Sequence, residues 1–340
     1  MAKVGIIGAS GYTGAELLRL LAGHPDLDVA YATADAYRAT AAADLYPGLA
    51  AHYGDLVYEA HDPERAAGLD LVFLALPHGA SQGVVGELIG RVGHVVDLAA
   101  DFRLRDVGLY PRWYGADHGA PDLLDRFVYG LPELDRDPLR GAELIAVPGC
   151  YPTAATLALA PLVRAGLVEP TGLIVDATSG VSGAGRGTFP FGGTDGDFTA
   201  YGLLDHRHTP EIEQNLGAGS SVLLTPHLAP MTRGILATCY ARPAAGAGAL
   251  SSERVLACLV DAYAGEHFVV VGERSPSTKA TLGANTAHLT ARYDERTGTV
   301  LALCALDNLV KGASGGALQC ANLALGLDEG AGLPIVAVTP

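Results

Sequence analysis

Residues 3–21 read "KVGIIGASGYTGAELLRLL". The short apolar run at the front has the look of a buried strand. "GAELLRLL" spaces its leucines as a helix does. Between the two lie Gly8, Gly11 and Gly14, three apart. A strand, a tight glycine turn and a helix in that order let the backbone come close to a pyrophosphate. The helix then presents its free N–H groups and positive dipole end to that anion. The contacts expected there are Gly8, Ser10, Gly11, Tyr12, Thr13 and Gly14, with the helix beginning near Thr13. A lone glycine motif is weak, but one lying between strand and helix at the front of an α/β pattern is much stronger. The alternative is a tight βα turn that holds no ligand.

Working outward, "DVAYAT", "LDLVFLALP" and "HVVDLA" are further apolar runs separated by helical patterns. Continuous Val/Ile/Leu runs bounded by Gly or Pro suit a parallel sheet covered on both faces, so the first part reads as a Rossmann-type doubly wound α/β domain. After Cys150 strands dominate: "TGLIVDATSG", "SVLLTPHLAP", "GILATCYARP", "HFVVVGE", "TAHLTARYD" and "TVLALCALD". Helical patterns there are few, chiefly 152–165, 210–216 and 251–264. This suits an α+β catalytic domain whose mixed sheet has one helix-covered face. "GASGGALQCANLALG" is a final helix long enough to return to the first domain. The expected division is 1–149 with 313–340 for the nucleotide domain, and 150–312 for the catalytic and oligomerisation domain.

Hydrophobic residues make up 49% of the 340, and the net charge is −15 with no dense basic cluster, which argues against nucleic acid as a partner. No run reaches the ~18 apolar residues of a membrane span. The opening is a strand and not a signal peptide. Five cysteines without framework spacing suggest a reducing, cytoplasmic setting.

Cys150 differs from the other four. It follows Pro148 and Gly149, and Pro152 fits a first helical position. A cysteine just before a helix start has its thiolate stabilised by free amides and the dipole. Such a thiolate is a nucleophile, and amides nearby can hold an oxyanion. The bland reading is a small residue filling a turn. Cys239, Cys258, Cys304 and Cys320 lie in strand or helix runs and read as core.

"DHRHTPEIEQNL" carries His206 and His208 two apart, on one face if the segment is extended, with Thr209 as N-cap and Pro210 as first helical residue. A histidine at an element's end suits acid–base work. No further ligand cluster accompanies the pair, so a metal is not expected. Anion handles are Arg103 in "DLAADFRL" and the loop "SGVSGAGRG", with Ser179, Ser182 and Arg186. For the cofactor's ribose, Asp35 would favour NAD, whereas Thr33 and Arg38 would favour NADP. The residues alone leave that choice open.

Taken together, "GASGYTGAELLRLL", "LALPHG", "DLAADFRL", "YGLPEL", "VPGCYPTA", "SGVSGAG", "HRHTPEI", "PHLAPMTRGI" and "ALDNLVKGASGGA" closely resemble the N-acetyl-γ-glutamyl-phosphate reductase family of arginine biosynthesis. The resemblance runs essentially the full length and implies the fold of aspartate-semialdehyde and glyceraldehyde-3-phosphate dehydrogenases. It implies NADP(H), with Thr33 and Arg38 as 2′-phosphate contacts, although the chain departs from the family's serine–arginine pattern there. It further implies an acyl-phosphate substrate, a cysteine thioacyl intermediate on Cys150, and a homodimer or homotetramer. By motif, one histidine of "HRHTPEI" is the acid–base; His208 is preferred, with His206 assisting substrate binding. Arg103 and Arg186 clamp substrate anions. Pro77 and Asn308 face the cofactor, and Lys311 lies in the active site. The related alternative is the lysine-pathway reductase of carrier-linked aminoadipyl phosphate, against which "PGCYPTA" argues. A non-catalytic NADP-binding redox sensor is the alternative of another class.

Overall fold

The computed structural model describes residues 1–186 and 195–338. Among these the chain divides into two compact units. The first comprises Met1–Pro111, Ala116–Pro148 and Ala313–Leu333, and the second Arg112–Gly115, Gly149–Gly312 and Pro334–Pro340.

The first unit is built on six parallel strands: β1 (Ala2–Ile7), β2 (Leu27–Ala32), β3 (Leu71–Leu74), β4 (His94–Asp97), β5 (Val128–Tyr129) and β6 (Leu144–Ala146). Their order is β2-β1-β3-β4-β6-β5. Every residue of β3 is buried, which is why that run does not alternate. The chain leaves β1 toward one edge and returns through β3 toward the other. The crevice at the carboxyl ends of β1 and β3 is therefore the topological switch point, where sheets of this kind receive ligands. Helix α1 (Tyr12–Leu21) follows β1, and α2 (Ser81–Leu88) joins β3 to β4. The final helix, α6 (Gly315–Ala324), packs on α1 and β4, as the sequence suggests.

The second unit holds a seven-stranded sheet, in the order β11-β12-β13-β10-β7-β9-β8. Its strands are β7 (Leu173–Gly180), β8 (Thr199–Ala200), β9 (Val222–Ala229), β10 (Ile235–Ala241), β11 (Val269–Val271), β12 (Ala287–Asp294) and β13 (Thr299–Leu306). Pairing is mixed: β7 runs parallel to β9 and β11 to β12, and the rest are antiparallel. Helices α3 (Cys150–Arg164), α4 (Thr209–Leu216) and α5 (Ser252–Ala262) cover one face. Val175, Ala177, Ala237, Cys239, Ala302 and Cys304 are buried beneath them. The alternate residues of the same strands, among them Ile174, Asp176, Leu223, Leu236 and Tyr240, are half-buried or exposed. Period-two alternation thus marks one covered and one open face.

Two boundaries differ from the sequence reading. The tail from Pro334 goes with the second unit, because Asn285 N–H donates to Pro334 O (2.7 Å) and Val338 N–H to Leu282 O (2.8 Å). Residues Arg112–Gly115 also go with it. Among the described residues no helix is long and apolar enough to cross a membrane.

Candidate active site

In the first unit, α1 begins at Tyr12 with Gly11 as N-cap, one residue earlier than expected. The three glycines have different reasons. Gly8 lies at φ +90°, and a Cβ there would sit 2.5 Å from Ala75 O beyond β3. A Cβ at Gly14 would be 2.5 Å from the backbone of Ala9. A Cβ at Gly11 would meet nothing nearer than Gly8 O at 3.8 Å. Two glycines therefore close the turn, and the third leaves a cradle over the helix start. No acidic residue occupies the first turn of α1, so the amides of Tyr12 and Thr13 face that cradle without a competing anion. The carbonyl of Ser10 is held by the Tyr46 hydroxyl (2.8 Å), and that of Thr13 by the Ser314 hydroxyl (2.8 Å). This arrangement fits a dinucleotide pyrophosphate.

Thr33 is buried, and its hydroxyl accepts from Gly8 N–H (3.2 Å). It braces the glycine turn, and Arg38, the other expected 2′-phosphate contact, is exposed. Pro77 lies exposed just past the end of β3. Arg103 is buried, with Nε on Val147 O (2.7 Å) and Nη2 on Leu98 O (2.8 Å). Those bonds tie it to the chain leading into Cys150, a structural duty that the sequence does not reveal.

In the second unit, Cys150 is itself the first helical residue, and Gly149 is the N-cap at φ −68°, ψ 155°. The helix thus starts two residues before Pro152, which is tolerated because the N–H it lacks is not used in a first turn. Gly149 has no room for a side chain. A Cβ there would overlap the His208 ring, with Cδ2 and Cε1 both 2.8 Å away. Gly312 is similarly required, because its Cβ would lie 2.9 Å from that of Cys150. Cys150 is half-buried, whereas Cys239, Cys304 and Cys320 are buried. Burial pushes the Cys239 and Cys304 thiols well up, so they stay protonated and inert.

The histidine segment is a turn rather than a strand. Thr209 N–H donates to His206 O (2.9 Å), His208 is the N-cap of α4, and Thr209 is its first residue. The turn still sets the two rings 4.7 Å apart. His206 Nδ1 accepts from His208 N–H (3.2 Å), so its proton is on Nε2. Burial and the neighbouring Arg207 push His206 down to about 4, keeping it neutral at physiological pH. Its Nε2–H is then a hydrogen-bond donor. Tyr151 packs edge-on to both rings, at 5.7 and 5.9 Å, and its hydroxyl lies 3.0 Å from that of Tyr201. Burial raises the Tyr201 hydroxyl to about 12.

Ser179 is buried, and its hydroxyl donates to Gly180 O (2.9 Å). Asn308 Nδ2 donates to Ser182 Oγ (3.0 Å), while its Oδ1 accepts from Gly234 N–H (2.7 Å). Both ends of that amide are engaged in joining the serine loop to the start of β10. Lys311 is buried, with its ammonium 5.6 Å from the centre of the Phe268 ring. Arg186 is exposed at the far end of the serine loop.

Glu211 is the residue that the sequence reading missed. It is fully buried, and Oε1 accepts Gly149 N–H at 2.8 Å. Its place three residues after an N-cap is that of an ordinary capping-box glutamate. That spacing hides a long-range contact to the cysteine turn.

Residues 3–142 match the family described as "Semialdehyde dehydrogenase, NAD binding domain", and residues 150–308 match "Semialdehyde dehydrogenase, dimerisation domain". The N-acetyl-gamma-glutamyl-phosphate reductase of Symbiobacterium thermophilum is 49% identical, with 97% of each chain covered. That of Pseudomonas aeruginosa is 47% identical over 100% of both chains. Among solved structures, aspartate semialdehyde dehydrogenase with NADP from Candida albicans superposes with a TM-score of 0.72 at 17% identity, covering 96% of this chain and 100% of that one. The Vibrio cholerae aspartate semialdehyde dehydrogenase II complex gives 0.69 at 15% identity, with 96% and 98% covered. At such identities these two likenesses bear on the fold alone.

Proposed function

Because the chain belongs to the N-acetyl-γ-glutamyl-phosphate reductase family, we propose that it reduces N-acetyl-γ-glutamyl phosphate to N-acetylglutamate 5-semialdehyde, with release of phosphate, in arginine biosynthesis. The observation that carries the chemistry is the His208 ring lying where a side chain on Gly149 would stand, beside a cysteine at a helix start.

Cys150 attacks the acyl carbon as its thiolate, favoured by the free amides and dipole of α3. His208 takes the thiol proton and passes it to the departing phosphate as the C–O bond breaks. The thioester left on Cys150 accepts hydride far more readily than a carboxylate does. NADPH, held by the glycine turn with Arg38 toward its 2′-phosphate, supplies that hydride when bound. First-turn amides of α3 stabilise the alkoxide that results. Collapse of the alkoxide forms the aldehyde and expels the Cys150 thiolate, which is reprotonated from solvent through His208. Neutral His206 donates from Nε2 to the substrate, and Arg103, Arg186 and the serine loop complete the anion contacts.

The open sheet face of the second unit, with Ile174 and Leu223 exposed, suits pairing with a second copy, as homodimer or homotetramer. The five cysteines, which form no disulfide among the described residues, suit a cytoplasmic setting. The test is NADP-dependent oxidation of N-acetylglutamate 5-semialdehyde that requires phosphate. Turnover confined to a carrier-linked aminoadipate semialdehyde would move the chain to the lysine pathway. No turnover with either, despite NADP binding, would make it a redox sensor.

A further inference from the structure

Behind the loop that carries Pro77 lies a buried cluster with no role in the mechanism above. Asp97 ends β4, Ser81 opens α2 and Asp101 follows in the next loop; all three are at most 1% exposed. The Ser81 hydroxyl is 2.8 Å from Asp97 Oδ2 and in closer contact still with Asp101 Oδ2. A hydroxyl has one proton and cannot donate to both carboxylates. A second proton must therefore sit on one of the acids.

The distribution of donors decides which. Asp101 accepts from Gly79 N–H (2.6 Å), Ser81 N–H (3.0 Å) and Gln82 Nε2 (3.5 Å). Apart from the shared Ser81 hydroxyl, Asp97 accepts among the described residues only Ala99 N–H (2.9 Å), on its other oxygen, Oδ1. Backbone donors favour the charged form of the acid they touch, and burial without them favours the neutral form. The strands flanking β4 place Leu74 and Ala146 beside Asp97, so no charge approaches from the sheet. The charged groups that act on Asp97 are Asp101 and Arg103. His78 and His118 face the same loop, and each bonds to backbone: His78 with Ala100 N–H, His118 with Asp101 O.

We propose that Asp97 is a neutral carboxylic acid whose proton, relayed through Ser81 Oγ to the Asp101 carboxylate, pins residues 77–81 and so positions the cofactor side of the crevice. Asp97 is thereby a positioning residue. The last clause rests on the reading of that loop as cofactor-facing; the proton relay does not. Burial, countered only in part by its bonds, lifts Asp97 to about 7 from 3.8. The folded state thus holds the proton more tightly than the unfolded chain. Stability falls as pH rises between those two values, and above about 7 a buried carboxylate repels Asp101.

The experiment compares wild type, Asp97→Asn and Ser81→Ala across about pH 6 to 9. Infrared spectra should show a neutral-carboxyl stretch that fades as pH rises in the wild type and is missing in Asp97→Asn. Hydrogen exchange at Gly79 and Ser81, corrected for intrinsic rates, should quicken about tenfold over that range in wild type and stay flat in Asp97→Asn, whose amide keeps the donor. Ser81→Ala should exchange fast throughout. NADPH Kd should weaken with pH in wild type and not in Asp97→Asn. If no carboxyl band depends on Asp97, or both proteins respond alike to pH, the relay is overturned. If the relay holds but Kd does not follow it, the positioning role is overturned. Failure of wild type to bind NADPH would count against the proposed function and leave the infrared and exchange results standing.

Discussion

Two turns in this molecule share one local design and use it in opposite ways. Each runs from a strand through a glycine N-cap into a helix whose first turn has no acidic residue: Gly11 before α1 and Gly149 before α3. Neither glycine has a side chain to cap its helix, and both are in extended backbone, so neither is there for an unusual φ. The difference is what faces them. Space over Gly11 is open, whereas space over Gly149 is filled by the His208 ring. Under the proposed function, the same amides and dipole would serve a diffusible anion in one unit and a built-in nucleophile in the other. A helix start becomes a binding site or a reactive site according to whether the protein leaves the space empty or fills it.

The harshest attempt to break this comparison is Cys150→Ala. Turnover should fall by several orders of magnitude while NADPH binding, measured by fluorescence titration, stays nearly unchanged. Substantial residual turnover would remove the covalent mechanism and leave the second turn an ordinary one.

The histidines come next. His208→Asn should lower kcat by about 10²–10⁴ with KM little changed, and His206→Asn should mainly raise the substrate KM. Steady-state kinetics on both variants would show the reverse pattern if the roles are exchanged. The pH profile adds a check. His206 is held near 4, below the ordinary 6.5, so the unfolded chain binds its proton more readily. The stability this contributes is complete above 6.5 and is lost as pH falls through about 4. His206→Asn should accordingly flatten the acid limb of a stability curve without moving any limb of kcat near neutrality.

A third test treats the two glycines alike. Gly149→Ala should cost about 1–3 kcal/mol in denaturant unfolding, because the His208 ring must give way, and should lower kcat with it. Gly11→Ala should change stability by less than about 0.5 kcal/mol yet weaken NADPH about tenfold by filling the cradle. Equal stability costs would erase the distinction.

The last test probes the far end of the open turn's ligand. Arg38→Ala should raise the KM for NADPH about 10- to 100-fold, and that for NADH hardly at all, through loss of one charge-assisted contact. An equal response to both nucleotides would show that Arg38 does not read the 2′-phosphate.

Much of this was legible beforehand, because it is local. The alternating apolar runs gave strands where β1–β4 and β7, β9–β13 lie, and the glycine spacing marked its turn. Cys150 could be singled out because Pro148, Gly149 and Pro152 surround it in sequence. What pattern could not supply was any decision made by residues far apart. Glu211 drew no notice in the sequence, and only packing makes Gly149, 62 positions away, its partner. Thr33 and Arg38 were paired as 2′-phosphate contacts, and only the fold reveals that one is buried against Gly8 and the other exposed. The amide of Asn308 joins Ser182 to Gly234, partners that its sequence surroundings do not disclose. Asp97 and Asp101 look like two ordinary acids in a row, and only packing brings both onto one serine hydroxyl. Propensity and spacing act within a few residues, so they determine elements and turns. Burial, the choice of hydrogen-bond partner and the state of a proton depend on which distant groups exclude water, and that is decided only when the chain is packed.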